Sequence, residues 1–117
     1  MVKLIIAGSR DFNDYELLKS KLDKAKEHFG IFEVVSGRAR GADLLGEKYA
    51  KENDLPIAEF AADWDTHGKK AGFMRNADMA DYADGCIVFW DGESKGTQHM
   101  INLAKQKGIQ LAVVNYG

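Results

Sequence analysis

Short apolar runs alternate with longer amphipathic runs along this chain of 117 residues. Apolar runs of about five residues suit buried strands, whereas apolar side chains three and four positions apart predict helices. Five strands alternating with four helices are typical of a parallel sheet covered on both faces. Right-handed crossovers then predict one α/β domain over residues 1–117, a Rossmann-like three-layer sandwich with a five-stranded parallel sheet in the order 3-2-1-4-5.

Turn and cap residues set the predicted bounds of these elements. The strands are expected at about 3–7, 32–36, 56–60, 85–90 and 110–115, and the helices at about 14–28, 41–53, 69–82 and 97–107. Gly30 and Gly108 follow the first and last helices, as C-terminal caps commonly do. The third helix has the weakest pattern, and its predicted apolar face consists of Met74, Ala77, Met79 and Ala80.

A glycine-containing polar turn follows the first, second and fourth strands. These turns are Gly8-Ser9-Arg10, the stretch from Ser36 to Asp43, and Ser94-Lys95-Gly96-Thr97. The carboxyl ends of parallel strands share one edge of a sheet, so the turns should meet at the switch point between strands one and four. Backbone N–H groups at helix N-termini, together with arginines, suit a phosphate-bearing ligand.

The charge, the single cysteine and the apolar runs of the chain limit what it is expected to bind and where it is expected to be found. A formal net charge of −2 disfavours binding to nucleic-acid backbone, which needs clustered positive charge. The single cysteine, Cys86, lies in an apolar strand and is predicted to be a buried, inert thiol. No apolar run is long enough to span a membrane, and we expect a cytoplasmic protein with no membrane partner.

Three familiar kinds of site are missing from the sequence. The first turn lacks the dinucleotide fingerprint GxGxxG, which disfavours a dehydrogenase. The stretch 92–97 contains a lysine and a threonine, but not in the order of a P-loop. No cysteine and histidine cluster has the spacing of a zinc site. We therefore expect no metal and no cofactor.

Four motifs in order carry a family resemblance over about residues 3 to 114. They are Gly8-Ser9-Arg10, Ser-Gly-x-Ala-x-Gly-Ala-Asp at 36–43, Asp63-Trp64 with the later pair Arg75-Asn76, and Gly96-Thr97. In this combination the chain resembles the SLOG superfamily, in particular its small YspA-type members. These are related to the LOG phosphoribohydrolases, which are also called lysine decarboxylase-like, and more distantly to the DNA-processing protein DprA.

The resemblance implies a nucleotide or a nucleotide-derived ligand, such as an ADP-ribose-like molecule, held by a sensor or sequestering module. It also implies a homodimer. The expected ligand-binding residues are Gly8, Ser9, Arg10, Ser36, Gly37, Arg38, Gly41, Ala42, Asp43, Asp63, Trp64, Arg75, Asn76, Ser94, Lys95, Gly96 and Thr97. Arg10 and Arg75 are suited to a bidentate phosphate clamp. For Asp43, a role as a partner of the helix dipole at the start of the second helix is equally open. Ser94 and Thr97 could be ordinary N-caps of the last helix.

Two alternatives follow from the related proteins. LOG hydrolases have a catalytic arginine at the position of Arg75 and a glutamate at that of Met100. Methionine can neither stabilise an oxocarbenium-like state nor activate water, so Met100 is expected in the core. An N-glycosidase acting on nucleoside monophosphates or ADP-ribose would then use Arg75 with Asp43 or Asp63. The second alternative is DprA-like binding of single-stranded DNA, which the acidic charge balance disfavours.

Overall fold

A computed structural model describes residues 1–116 and gives five strands and five α-helices. The strands are β1 (Val2–Gly8), β2 (Phe32–Ser36), β3 (Ile57–Glu59), β4 (Gly85–Trp90) and β5 (Gln110–Asn115). The helices are α1 (Tyr15–Phe29), α2 (Ala42–Glu52), α3 (Trp64–His67), α4 (Ala71–Tyr82) and α5 (Lys95–Lys107), with a 3-10 turn at Gly68–Lys70 between α3 and α4.

All strands pair in parallel in the order β3-β2-β1-β4-β5, which confirms the predicted topology. Side chains of the central strand alternate between the two faces of the sheet, as the strand period of two requires. Leu4 and Ile6 pack into one buried cluster with α1 and α2. Ile5 and Ala7 pack into a second cluster with α4 and α5. The fold is therefore a three-layer sandwich with a core on each side of the sheet.

The structure differs from the prediction for the third helix in where the helix begins and in which face is buried. The predicted span 69–82 becomes α4, which begins at Ala71 after a separate short helix and a 3-10 turn. The predicted apolar face was wrong at Met74, whose side chain is 44% exposed. The buried face instead carries Asn76, Met79 and Ala80, three and four positions apart. Asn76 points inward because it hydrogen-bonds to α5, and this rotation turns Met74 to solvent.

Helix ends follow the expected capping chemistry. Gly30 and Gly108 both terminate their helices with positive φ angles, which glycine adopts without steric cost. Ser94 caps α5 by accepting a hydrogen bond from the Thr97 N–H, so that α5 begins at Lys95 rather than at 97. Cys86 is buried as predicted, and burial raises the pKa of its thiol to about 12. None of the helices in residues 1–116 could cross a membrane.

Candidate functional site

A cavity of about 150 Å³ lies at the carboxyl ends of β1 and β4, at the predicted switch point of the sheet. It is lined by Ala7, Gly8, Arg10, Ala39, Asp43, Trp64, Lys69, Gly72, Phe73, Arg75, Asn76, Ser94, Gly96, Thr97 and Met100. Residues of all three polar turns and of the segment after β3 therefore meet there. The predicted convergence of these segments on one cleft is what the structure shows.

A second cavity of about 350 Å³ adjoins the first over the ends of β2 and β3. The two cavities share Arg10, Ala39, Trp64 and Arg75 along their common border. Gly37 and Arg38, which were expected to contact the ligand, line this second cavity and not the first. The candidate site therefore has two compartments.

Six of the expected ligand-binding residues line neither cavity: Ser9, Ser36, Gly41, Ala42, Asp63 and Lys95. Several of them build the turns. Ser9 accepts a hydrogen bond from the Asp91 N–H and ties the first turn to the end of β4. Ser36 donates a hydrogen bond of 2.6 Å to the buried Glu47 carboxylate. Asp63 is exposed and caps α3 by accepting from the Thr66 N–H, which lowers its pKa.

The glycines of the two cavities have different physical reasons for lacking a side chain. A Cβ at Gly8 would lie 2.4 Å from the Phe89 carbonyl oxygen, so close packing of the strands requires glycine there. A Cβ at Gly37 would lie 2.7 Å from an Asp43 oxygen. At Gly96, by contrast, a Cβ would meet no atom within 4 Å beyond its helix neighbours in residues 1–116. Gly96 leaves open space at the cavity wall.

Arg75 links the walls of the cleft. Its Nη1 donates to the Gly37 carbonyl at 2.9 Å, and its Nε donates to Asn76 Oδ1 at 3.3 Å. Burial and the nearby charge of Arg10 lower the pKa of Arg75, while Asp43 opposes that change. Two guanidinium groups that repel each other across a cleft form a favourable place for an anion between them.

Asp43 is 4% exposed and lines the first cavity. Burial raises the pKa of its carboxyl group to about 7, against the opposing effects of the Arg75 charge and of the Ala39 and Gly37 N–H groups. The hydrogen bond from the Ala39 N–H is long, at 3.4 Å. A carboxyl group that titrates near neutral pH can donate or accept a proton.

The remaining walls carry Lys69 and several apolar side chains, and neither Lys69 nor Phe73 was indicated by the sequence motifs. Trp64 and Phe73 are both about half exposed, and the Phe73 ring lies 4.6 Å from the His99 ring in an edge arrangement. Met100 is 1% exposed, which confirms its expected place in the core, and its edge forms part of the cavity floor. Phe73 lies between the motif pairs Asp63-Trp64 and Arg75-Asn76, and this position is the signal in the sequence that could have indicated it.

The first turn of α5 closes the cavity on the side of β4. The Asp91 carboxylate accepts hydrogen bonds from the Glu93 and Ser94 N–H groups and fixes the loop before the helix. Ser94 in turn caps the Thr97 N–H, and the Trp90 indole donates to the Ser94 carbonyl. The amide groups of a first helical turn that have no intrahelical acceptor make a positive end that favours anions.

Comparisons with known proteins agree with this architecture. The sequence profile of the YspA, cpYpsA-related SLOG family matches residues 2–67. The gene 61 protein of Mycobacterium phage D29 is 35% identical over 127 aligned positions, which cover 100% of this chain and 98% of that protein. The crystal structure of DNA processing protein A (DprA) from Streptococcus pneumoniae superimposes with a TM-score of 0.81 at 16% identity. That match covers 100% of this chain and 51% of the DprA chain, and it shows a shared fold. The chain belongs to the YspA, cpYpsA-related SLOG family.

Proposed function

We propose that this protein binds a nucleotide or a nucleotide-derived phosphate ligand in the first cavity, as a cytoplasmic sensor or sequestering module. One observation carries the proposal. A single cavity is lined by Arg10, Arg75 and the first turn of α5, and also by Trp64 and Phe73. The first group suits a phosphate and the second suits the face of a base.

The open space at Gly96 also supports a phosphate beside the first turn of α5. A phosphate at a helix N-terminus must approach the backbone N–H groups closely, and a Cβ would obstruct that approach. Family membership and the DprA-like fold are compatible with a ligand related to nucleotides or nucleic acids. We favour a nucleotide over nucleic acid because the chain has a net charge of −2 and the first cavity is small, at about 150 Å³.

Calorimetric titration tests the proposal. AMP and GMP should bind, whereas adenosine and guanosine should bind at least about tenfold more weakly because they lack the phosphate. Arg10→Ala should lower AMP affinity by a similar factor, and Arg75→Ala by more. Lys24→Ala removes one positive charge from the exposed face of α1 and is the matched control. Equal affinity of nucleoside and nucleotide would overturn the phosphate assignment.

A single-stranded oligonucleotide provides the comparison arm of this experiment. A gel shift that weakens with added salt would favour nucleic acid over a small ligand, because release of counterions makes such binding depend on salt. We expect no shift of the oligonucleotide at the protein concentrations at which AMP binding is measured. Because the likeness to DprA is one of fold, this arm tests the DNA-binding alternative directly.

N-glycoside hydrolysis is a second candidate, and one observation favours it. Asp43 lines the cavity beside Arg75 and has a pKa of about 7, as a general acid at neutral pH requires. In that reaction the bond between C1′ and the base nitrogen breaks, and Asp43 gives its proton to the departing base. The hydroxyl of a water molecule bonds to C1′, and the proton that this water loses returns to the Asp43 carboxylate. Asp63 is not needed, because it lies outside both cavities.

Product analysis separates binding from hydrolysis. AMP and ADP-ribose are incubated with the protein, and the released base and ribose 5-phosphate are measured by chromatography. If the protein is a hydrolase, Asp43→Asn should retain ligand-induced thermal stabilisation but lose product release. Stabilisation by AMP without any released base would reject the hydrolase and leave the sensor or sequestering module.

A further inference from the structure

The chain contains four arginines, and all four line the second cavity. Arg10, Arg38, Arg40 and Arg75 come from three separate segments that the fold brings together. None of the lysines, and no acidic residue within residues 1–116, lines this cavity. We call this compartment the arginine basin. The chain as a whole carries a net charge of −2, so the basin is a local concentration of positive charge.

Only part of this charge is neutralised within the protein. The Arg38 guanidinium forms ion pairs with Glu47 and Glu59 through a single nitrogen, Nη1. Its other nitrogens keep their N–H donors free of these pairs. Within residues 1–116, neither Arg10 nor Arg40 forms an ion pair. The basin can therefore still bind an anion.

The loop that presents Arg38 and Arg40 is held in a strained conformation. Arg38 has a φ of 64°, a left-handed backbone conformation that is uncommon outside glycine. The Arg38 N–H donates to Ser36 Oγ, which in turn donates to the buried Glu47 carboxylate. Such strain persists only where the surroundings enforce it, and it is concentrated at ligand-binding sites. The buried Ser36 and Glu47 thus fix the loop that carries these two arginines.

The volume of the first cavity gives an independent reason to expect that one ligand occupies both compartments. The first cavity, of about 150 Å³, is smaller than the roughly 300 Å³ at which typical small-molecule sites begin. The arginine basin adds about 350 Å³ directly across Arg10 and Arg75. A ligand whose first phosphate lies at this border would place any further anionic group among Arg38 and Arg40.

From this arrangement we infer that the arginine basin binds a second anionic group of the same ligand. The preferred ligands are then nucleotides that carry a diphosphate or a second phosphate group, and nucleoside monophosphates fill only part of the site. Arg40 determines this preference, because it lines the basin and not the first cavity. The inference rests on the proposed nucleotide function and adds the ligand class.

Calorimetry with AMP, ADP and inorganic pyrophosphate, in buffer containing EDTA to exclude metal ions, tests the inference. ADP should bind about tenfold or more tightly than AMP, because charge-assisted hydrogen bonds to the second phosphate are added. Arg40→Ala should remove most of this ratio, mainly by weakening ADP binding. Arg40→Lys should restore only part of it, because lysine lacks the planar fork of arginine. Lys24→Ala is the matched control for charge and should leave the ratio unchanged.

The possible outcomes separate this inference from the proposed function. If AMP binds and ADP binds no more tightly, the second anion site is wrong and the nucleotide site stands. If pyrophosphate binds as tightly as ADP while AMP does not bind, the basin stands and the nucleotide function is wrong. If Arg40→Ala weakens AMP and ADP equally, Arg40 contributes only general charge and the inference is overturned. Absence of binding by all three ligands overturns both.

Discussion

Gly96 occupies a helical position at which alanine would make the folded protein more stable than glycine does. It lies in the first turn of α5, and a Cβ there would meet nothing within 4 Å beyond its helix neighbours in residues 1–116. Glycine in a helix costs about 0.5–1 kcal/mol relative to alanine, because it loses more backbone entropy on folding. At Gly8 and Gly37, by contrast, neighbouring atoms leave no room for a Cβ.

Gly96→Ala should therefore separate stability from binding. We expect the free energy of unfolding to rise by up to about 1 kcal/mol, because alanine favours the helix. Affinity for AMP should fall by about tenfold or more, because the methyl group blocks close approach of a phosphate to the first turn. Urea denaturation and calorimetry measure the two effects. Asn102→Ala, on an exposed position of α5, is the control and should change stability alone.

The same variant can contradict the site assignment. If Gly96→Ala binds AMP as tightly as the parent protein, the phosphate does not lie against the first turn of α5. A fall in affinity accompanied by an equal loss of stability would point instead to disturbed packing of the helix.

Asp43 should make stability depend on pH. Its folded pKa of about 7 is above the ordinary value of 3.8, so between about pH 4 and about pH 7 the folded chain holds a proton that the unfolded chain has released. The contribution of this group to stability is therefore complete below about pH 4 and is lost as the pH rises through 7. The limiting slope is about 1.4 kcal/mol per pH unit.

Asp43→Asn should flatten this part of the profile, because the amide does not ionise. Denaturant unfolding at a series of pH values measures the difference between the two proteins, which should grow up to about pH 7 and then stay constant. Parallel profiles across the whole range would show that Asp43 ionises normally in the folded chain. Asp78→Asn, on the exposed face of α4, serves as the reference carboxylate.

At the scale of elements, short apolar strands were the most predictable part of the chain. The bounds of β2, β4 and β5 agree with the sequence because apolar runs end there at polar or glycine residues. The segment before α4 could not be predicted in the same way. A four-residue helix such as α3 has too few positions to show a period, and its start depends on the cap at Asp63.

The contact between α4 and α5 depends on one buried amide. Asn76 is 5% exposed, and its Nδ2 lies 3.3 Å from the Gly96 carbonyl oxygen and 3.2 Å from His99 Nδ1. Its Oδ1 accepts from Arg75 Nε. The side chain thus links α4 and α5 to Arg75. An apolar replacement would remove the hydrogen bonds to all three partners.

Asn76→Ala should lower the free energy of unfolding by about 1–3 kcal/mol, because the hydrogen bonds of a buried amide to three partners are lost. It should also weaken AMP binding, because Arg75 loses the partner that orients Nε. Thermal unfolding with and without AMP measures both effects. Asp78→Ala lies two positions away on the exposed face of α4 and should change neither by a comparable amount. Similar results for both variants would remove Asn76 from the support of the site.

At the scale of the whole molecule, topology was predictable and the shape of the site was not. The handedness of crossovers fixed the strand order, and strand order fixed the edge at which Arg10, Asp43 and Thr97 meet. The division into two compartments depends on the left-handed backbone of Arg38 and on the rotation of α4, which the periodicity of the sequence does not specify. Family motifs indicated Arg75 and Asn76, but not Phe73.

We also expect a homodimer, as the family resemblance implies. Trp64, Phe73 and Met74 on α3 and α4 are 48%, 49% and 44% exposed, and large exposed apolar groups favour association. Light scattering should then give twice the chain mass of 13.0 kDa. Met74→Lys should shift the mass toward that of the monomer, whereas Ile31→Lys, at another exposed apolar position, should not. A monomeric mass for the parent protein would contradict this expectation.

The hydrogen bond from Arg75 to the Gly37 carbonyl limits how far the walls of the candidate site can move. One side chain of α4 holds the loop after β2 in place, and Asn76 holds the start of α5, both through hydrogen bonds within the protein. The walls of the candidate site are therefore held by contacts of the fold itself. A ligand that enters it meets walls already fixed, so little chain entropy is lost on binding and the rate of capture should be set by diffusion and charge.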